Sequence, residues 1–211
     1  LVLLPGMEGT GELFSSLLAQ LGGETRSIVV RYPTCDFLNY DALTEVVKAQ
    51  LPDGESFVLL AESFSGPIAI SLASMHPARL LGLILCASFA RNPRPLLGPL
   101  LCRTGFDSTG YLPARVISAA MLNELSFAEL SRQLVESASQ VPGRVLQARL
   151  KAVCDIDVTD KLDQITVPSL YLRASHDRLV PKRAAELIIR KRKTGSSPNC
   201  GTASVVTKIA A

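Results

Sequence analysis

Short hydrophobic runs alternate along this chain with segments whose apolar positions recur every three or four residues. The first pattern marks buried strands and the second amphipathic helices. "LVLL" (1–4) predicts a strand ending at Pro5-Gly6, and Leu13, Leu17, Leu18 and Leu21 predict a helix that stops at Gly22-Gly23. "SIVVRY" (27–32) reads as a second strand. Leu43, Val46, Val47 and Leu51 fall on one face of the next helix, with Asp41 as its N-cap and Pro52-Asp53-Gly54 as its stop. "SFVLLA" (56–61) is a third strand, 66–76 is helical and "LLGLILCA" (80–87) reads as a strand buried on both faces. Repeated βα units of this kind predict an α/β architecture, a mostly parallel doubly wound sheet with helices on both faces.

From 89 to about 154 the strand signal vanishes. Proline-rich "RNPRPLLGPL" gives way to helical periodicity over 116–122, 127–135 and 145–153. This predicts a helical cap at 89–154 inserted between two parts of the core, 1–88 and 155–211. The sheet resumes at "VPSLYLRA" (167–174), followed by a helix over 181–190 with Ala184, Ala185, Leu187 and Ile188 on its buried face. The polar, turn-rich 191–201 reads as a loop. "ASVVTKI" (203–209) reads as the last strand.

A chain of 211 residues suits one domain, and although 47% of it is hydrophobic, no apolar run reaches the length of a membrane span. The +3 net charge is local. Lys182, Arg183, Arg190, Lys191, Arg192 and Lys193 cluster without interleaved aromatics, which reads as a solvated helix end, not a nucleic-acid surface. Five cysteines without CxxC spacing argue against a disulfide framework and a zinc site, and suggest reduced thiols in a cytoplasm.

The chemistry centres on "LLAESFSGPIA" (59–69). A nucleophile on a sharp strand-to-helix turn needs small residues two positions before and after it. Ser63 has Ala61 and Ser65 there, with Gly66 next, whereas Ser65 would have Pro67. Ser63 is therefore the candidate, against the simpler reading that either serine caps the helix. The turn "PGMEGTG" (5–11) lacks the spacing of a phosphate loop. In a hydrolytic reading it supplies one backbone N–H to an oxyanion, at Met7, and the residue after the nucleophile, Phe64, supplies the second. In "RASHDRLVP" (173–181) Asp177 is placed to support an imidazolium, or else to cap the helix behind it. Asp155, Asp157 and Asp160 precede the strand and are weaker rivals.

Together, "LLPGMEGTGELF", "AESFSGP" and "SHDRLVP" resemble the α/β-hydrolase superfamily, specifically bacterial serine hydrolases of the esterase or lysophospholipase-like kind. The resemblance covers 1 to about 190. It implies Ser63 as nucleophile, Asp177 as acid, Met7 and Phe64 as oxyanion donors, no cofactor or metal, and a small ester substrate. The cap, with Phe106, Tyr111 and Phe127, suggests an apolar acyl or alkyl group. In that superfamily the base follows the acid, in the loop after one more strand. Here "ASVVTKI" is that strand and Ala211 is the last residue, so a truncated or degenerate C-terminal part and an incomplete triad are expected. His76 ends the elbow helix, and His176 adjoins the acid it would have to face. A binding protein on a hydrolase scaffold is the alternative function.

Overall fold

A computed structural model of the chain describes residues 1–95, 128–174, 177, 179–194 and 206–209. Six strands, β1 (Val2–Leu4), β2 (Ile28–Val29), β3 (Phe57–Glu62), β4 (Leu80–Cys86), β5 (Ser169–Ala174) and β6 (Val206–Ile209), form one sheet in the order β2-β1-β3-β4-β5-β6. Every pairing is parallel, with Leu4 beside Ala61 and Glu62 beside Cys86. The doubly wound order is the expected one. It reverses direction between β1 and β3, which opens a crevice at the carboxyl ends of those two strands.

Helices α1 (Ser15–Leu21), α2 (Tyr40–Lys48), α3 (Gly66–Ser74) and α6 (Lys182–Thr194) connect the strands, and α4 (Ala128–Ser139) and α5 (Gly143–Asp155) lie between β4 and β5. The sheet side chains Leu4, Leu59, Ala61, Leu83, Leu85 and Tyr171 join Leu43, Val47, Ile68 and Leu72 of α2 and α3 in the main core. On the opposite face α1 covers Leu3 and Leu60. There, Val58, Ile84, Cys86, Leu170 and Leu172 are only half-buried, while Leu81, skipped where the β3–β4 register shifts, is exposed. The prediction that 80–87 is buried throughout is thus corrected. An all-apolar run does not distinguish two covered faces from one.

Local signals needed three further corrections. Asn39, not Asp41, caps α2, its Oδ1 accepting the Ala42 N–H at 2.9 Å, while Asp41 sits in the first turn. α6 continues past 190 to Thr194, so residues 191–194 of the predicted loop are helical. Nor is the basic run wholly solvated, because Arg192 is buried and donates to the carbonyls of Leu162 (3.2 Å), Ile165 and Val167 (2.9 Å). The predicted helix at 116–122 and the aromatic residues Phe106, Tyr111 and Phe127 lie outside the described residues.

α4 and α5 pack on each other through Ala138, Val141, Val145 and Leu146. They also bear on the loop after β1, through Ser137 Oγ to Thr10 Oγ1 (2.6 Å) and Gln140 Nε2 to Glu12 Oε2 (2.6 Å). Cys35 and Cys86 are free thiols. No helix among the described residues is long and apolar enough to cross a membrane.

Candidate active site

β3 ends at Glu62, and the chain turns through a single 3-10 turn, Ser63–Ser65, directly into α3. The reversal is so abrupt that Ser63 adopts φ +45°, a left-handed conformation that ordinarily costs a non-glycine residue about 1–2 kcal/mol. Pro67 lies in the first turn of α3, where its missing N–H removes no helical bond. Gly66 faces the loop after β4 at close range. A Cβ there would overlap Ser88 Oγ and lie 2.9 Å from Ser88 Cβ and 3.0 Å from the Phe89 carbonyl.

The two serines of the turn are in different situations. Ser65 is fully buried, its Oγ donating to the Pro5 carbonyl and bonded to the Tyr32 hydroxyl. Ser63 is half-buried, and its Oγ has no hydrogen-bond partner among the described residues. The Ser63 carbonyl accepts from Ser88 Oγ at 2.6 Å and from the Gly66 N–H. Ser88 in turn is fixed by Tyr171, whose hydroxyl donates to the Ser88 carbonyl (2.5 Å) and accepts its N–H (3.1 Å). Because a trans peptide plane is rigid, pinning the Ser63 carbonyl also directs the Phe64 N–H the opposite way. The Phe64 carbonyl is held separately by the Tyr40 hydroxyl, 3.1 Å away, with the two rings stacked at 4.8 Å.

The loop after β1 leaves the sheet beside this turn, and the Ser65–Pro5 bond joins the two. Residues 6–9 form a tight turn closed by Gly9 N–H to Gly6 C=O at 3.1 Å, which orients the Met7 N–H away from the turn. Arg149 of α5 reaches this loop and donates to the carbonyls of Met7 (2.8 Å), Glu8 (2.9 Å) and, from the loop after β2, Pro33 (2.8 Å). Its guanidinium lies 5.7 Å from the centroid of the Tyr32 ring. Gly9, at φ +73°, allows this approach, since a Cβ there would lie 2.7 Å from Arg149 Nη1.

Two carboxyl groups share the space around Gly6. Glu8 is buried and its Oε1 has no hydrogen-bond partner among the described residues, while a Cβ on Gly6 would lie 3.9 Å from Oε1 of Glu62, the last residue of β3. Desolvation raises both pKa values, Glu62 to about 8 with the Glu8 charge adding to the effect. Burial raises the Cys86 thiol to about 11, helped by the charges of Glu62 and Asp177.

Asp177 lies in the loop after β5, half-buried. Its Oδ1 accepts the N–H groups of Leu179 (2.9 Å) and Val180 (2.8 Å), a local turn that fixes the carboxylate, and burial raises its pKa despite those bonds. The acidic rivals are all exposed, and Asp157 caps the following turn through Thr159. His76 is also exposed, at φ +53° just past the far end of α3, with Nδ1 3.3 Å from Thr166 Oγ1. His176 lies outside the described residues. Among the described residues no group of three or more His, Cys, Asp or Glu side chains is placed to hold a metal ion.

The structure therefore places the loop that bears Met7 beside the turn that bears Ser63 and Phe64, with Asp177 after β5, two strands from β3 at the same carboxyl end of the sheet. Sequence reasoning missed Ser88, Tyr171, Tyr32 and Arg149. None has a local signature, because each acts across at least 25 residues of chain.

The chain matches no protein-family model. A hydrolase from Oleispira antarctica superposes with a TM-score of 0.79 over 99% of this chain and 82% of that one, at 16% identity. The pimeloyl-[acyl-carrier protein] methyl ester esterase of Aeromonas hydrophila is 29% identical over 209 residues, covering 89% of this chain and 81% of that protein. The chain has the α/β-hydrolase fold. Another pimeloyl-[acyl-carrier protein] methyl ester esterase, from Neisseria meningitidis, is 29% identical over 173 residues, 54% of its own length. In a fold of this kind, the crevice at the β1/β3 switch point is where the architecture places ligands.

Proposed function

We propose that this α/β hydrolase cleaves carboxylic esters or thioesters through an acyl-enzyme on Ser63, with the N–H groups of Met7 and Phe64 holding the oxyanion and Asp177 orienting an imidazolium. The single observation that carries this is Ser63 at φ +45° on the strand-to-helix turn. A strained non-glycine residue with an unengaged hydroxyl, over a helix that approaches as closely as Gly66 allows, is what an exposed nucleophile requires. Its neighbour Ser65, already bonded to Pro5 and Tyr32, is the structural serine.

The oxyanion assignment is supported by the two peptide planes held in place by Ser88 and by the Gly6–Gly9 bond. That of Asp177 is supported by its place at the carboxyl end of the sheet. β3 and β5 flank β4, so their ends stand about 10 Å apart, a gap that one imidazole bonded through both nitrogens can bridge. The described histidine, His76, is at the wrong end of α3 for that task. Without a base from elsewhere, turnover falls by about a millionfold, with about a thousandfold over water left to the oxyanion site and binding. The relatives' substrate, a methyl ester on a carrier-bound acyl chain, makes small-alcohol esters of linear acyl groups the first substrates to try. Free thiols suit a cytoplasmic setting.

Labelling with a fluorophosphonate tests the reading. Slow covalent modification at Ser63, lost in Ser63→Ala and retained in Ser65→Ala, is the expected result. A folded chain that is not labelled, yet binds an acyl ester, overturns catalysis in favour of a binding protein on the same scaffold.

A further inference from the structure

Arg149 is 2% exposed, a cation that burial alone makes costly to keep charged, and desolvation lowers its pKa. Three backbone carbonyls and an aromatic face compensate it, and the charge of Glu8 opposes the shift. Two of those carbonyls, Met7 and Glu8, belong to the loop proposed to hold the oxyanion. The Gly9–Gly6 bond sets the peptide plane before Met7, and Arg149 sets the plane after it. With both planes pinned, both backbone dihedrals of Met7 are fixed, and so is the direction of its N–H.

We propose that Arg149 is the positioning residue of the oxyanion loop, reaching from α5 to aim the Met7 N–H at the oxygen of a Ser63 adduct. This rests on the reading of Met7 as an oxyanion donor. Arg149 touches no reacting atom, and its planar fork is what spans carbonyls on two different loops. A lysine offers a compact point charge that cannot engage all three.

The test measures the maximal rate and half-saturating concentration of fluorophosphonate labelling for the full chain, Arg149→Lys and Arg149→Met. Amide hydrogen exchange over 5–11 is followed in parallel. In Arg149→Met the maximal rate is expected to fall about 100-fold, the loss typical of one oxyanion donor, with the half-saturating concentration unchanged. Millimolar guanidinium should restore part of that rate, and exchange should speed up over 5–11 while the core amides of β3 and β4 stay protected. If Arg149→Met does not fold, Arg149→Lys gives the same readouts at smaller amplitude. A folded variant labelled at the wild-type rate overturns the inference, as does loss of protection spread evenly over the core. Failure to label the wild-type chain overturns the functional reading and the catalytic purpose given to Arg149. The exchange profile then shows separately whether the arginine orders the loop.

Discussion

Replacing Gly66 by alanine tests how tightly the turn is built. The added Cβ would lie 2.9 Å from Ser88 Cβ and 3.0 Å from the Phe89 carbonyl, and would overlap Ser88 Oγ. The hydroxyl can rotate away only by giving up its 2.6 Å bond to the Ser63 carbonyl, while the other two contacts need backbone movement. Overpacking of this kind costs about 1–3 kcal/mol and the lost hydrogen bond about 1 kcal/mol more. The expected destabilisation is therefore about 2–4 kcal/mol, or roughly 5–15 °C in Tm for a domain of this size. Urea unfolding followed by circular dichroism measures it, with an unchanged slope showing that the change lies in stability. Adding Ser88→Gly removes both Ser88 obstacles, so the double variant should recover at least about 1 kcal/mol relative to additivity. A Gly66→Ala chain within about 0.5 kcal/mol of wild type, or strict additivity in the cycle, refutes the close approach of α3 to the β4 loop.

Three other outcomes follow from the same geometry. Ser63→Gly should abolish labelling yet stabilise the chain by about 1 kcal/mol, because glycine accepts φ +45° without strain; unfolding midpoints check this, and an unstabilised variant contradicts it. Ser65→Ala leaves the buried Pro5 carbonyl and Tyr32 hydroxyl short of a partner and should cost about 1–3 kcal/mol while Ser63 still labels, with mass spectrometry locating the adduct. Glu62, raised from 4.5 to about 8, holds a proton in the folded chain that the unfolded chain releases, so its contribution to stability is complete below about pH 4.5 and is lost as pH rises through about 8. Stability should therefore fall between those values, and in Glu62→Gln the decline should be shallower, which urea midpoints across that range will show.

Local patterns carried most of the architecture. The hydrophobic runs at 1–4, 56–61 and 167–174 placed three strands close to where they lie, and Gly22-Gly23 ended α1, with Gly22 at φ +61°. Periodicity reports burial over one or two turns of chain, which is enough to order strands and helices. It is not enough to count the layers over a sheet, as half-buried Ile84 and Cys86 in an all-apolar run show.

The small residues around Ser63 were readable because an elbow constrains its immediate neighbours, and a local constraint leaves a local trace. Which partners the polar groups find is decided at long range. In sequence Arg149 and Arg192 look like ordinary solvated charges on amphipathic helices; folding buries both by bringing carbonyls from distant loops to their forks. Ser65 becomes structural only when Pro5, sixty residues away, presents its carbonyl. The sequence by itself thus determined the βα order and the candidate nucleophile, whereas the tertiary structure alone decided how the turn is braced, because hydrogen bonds between distant backbones have no periodicity to betray them.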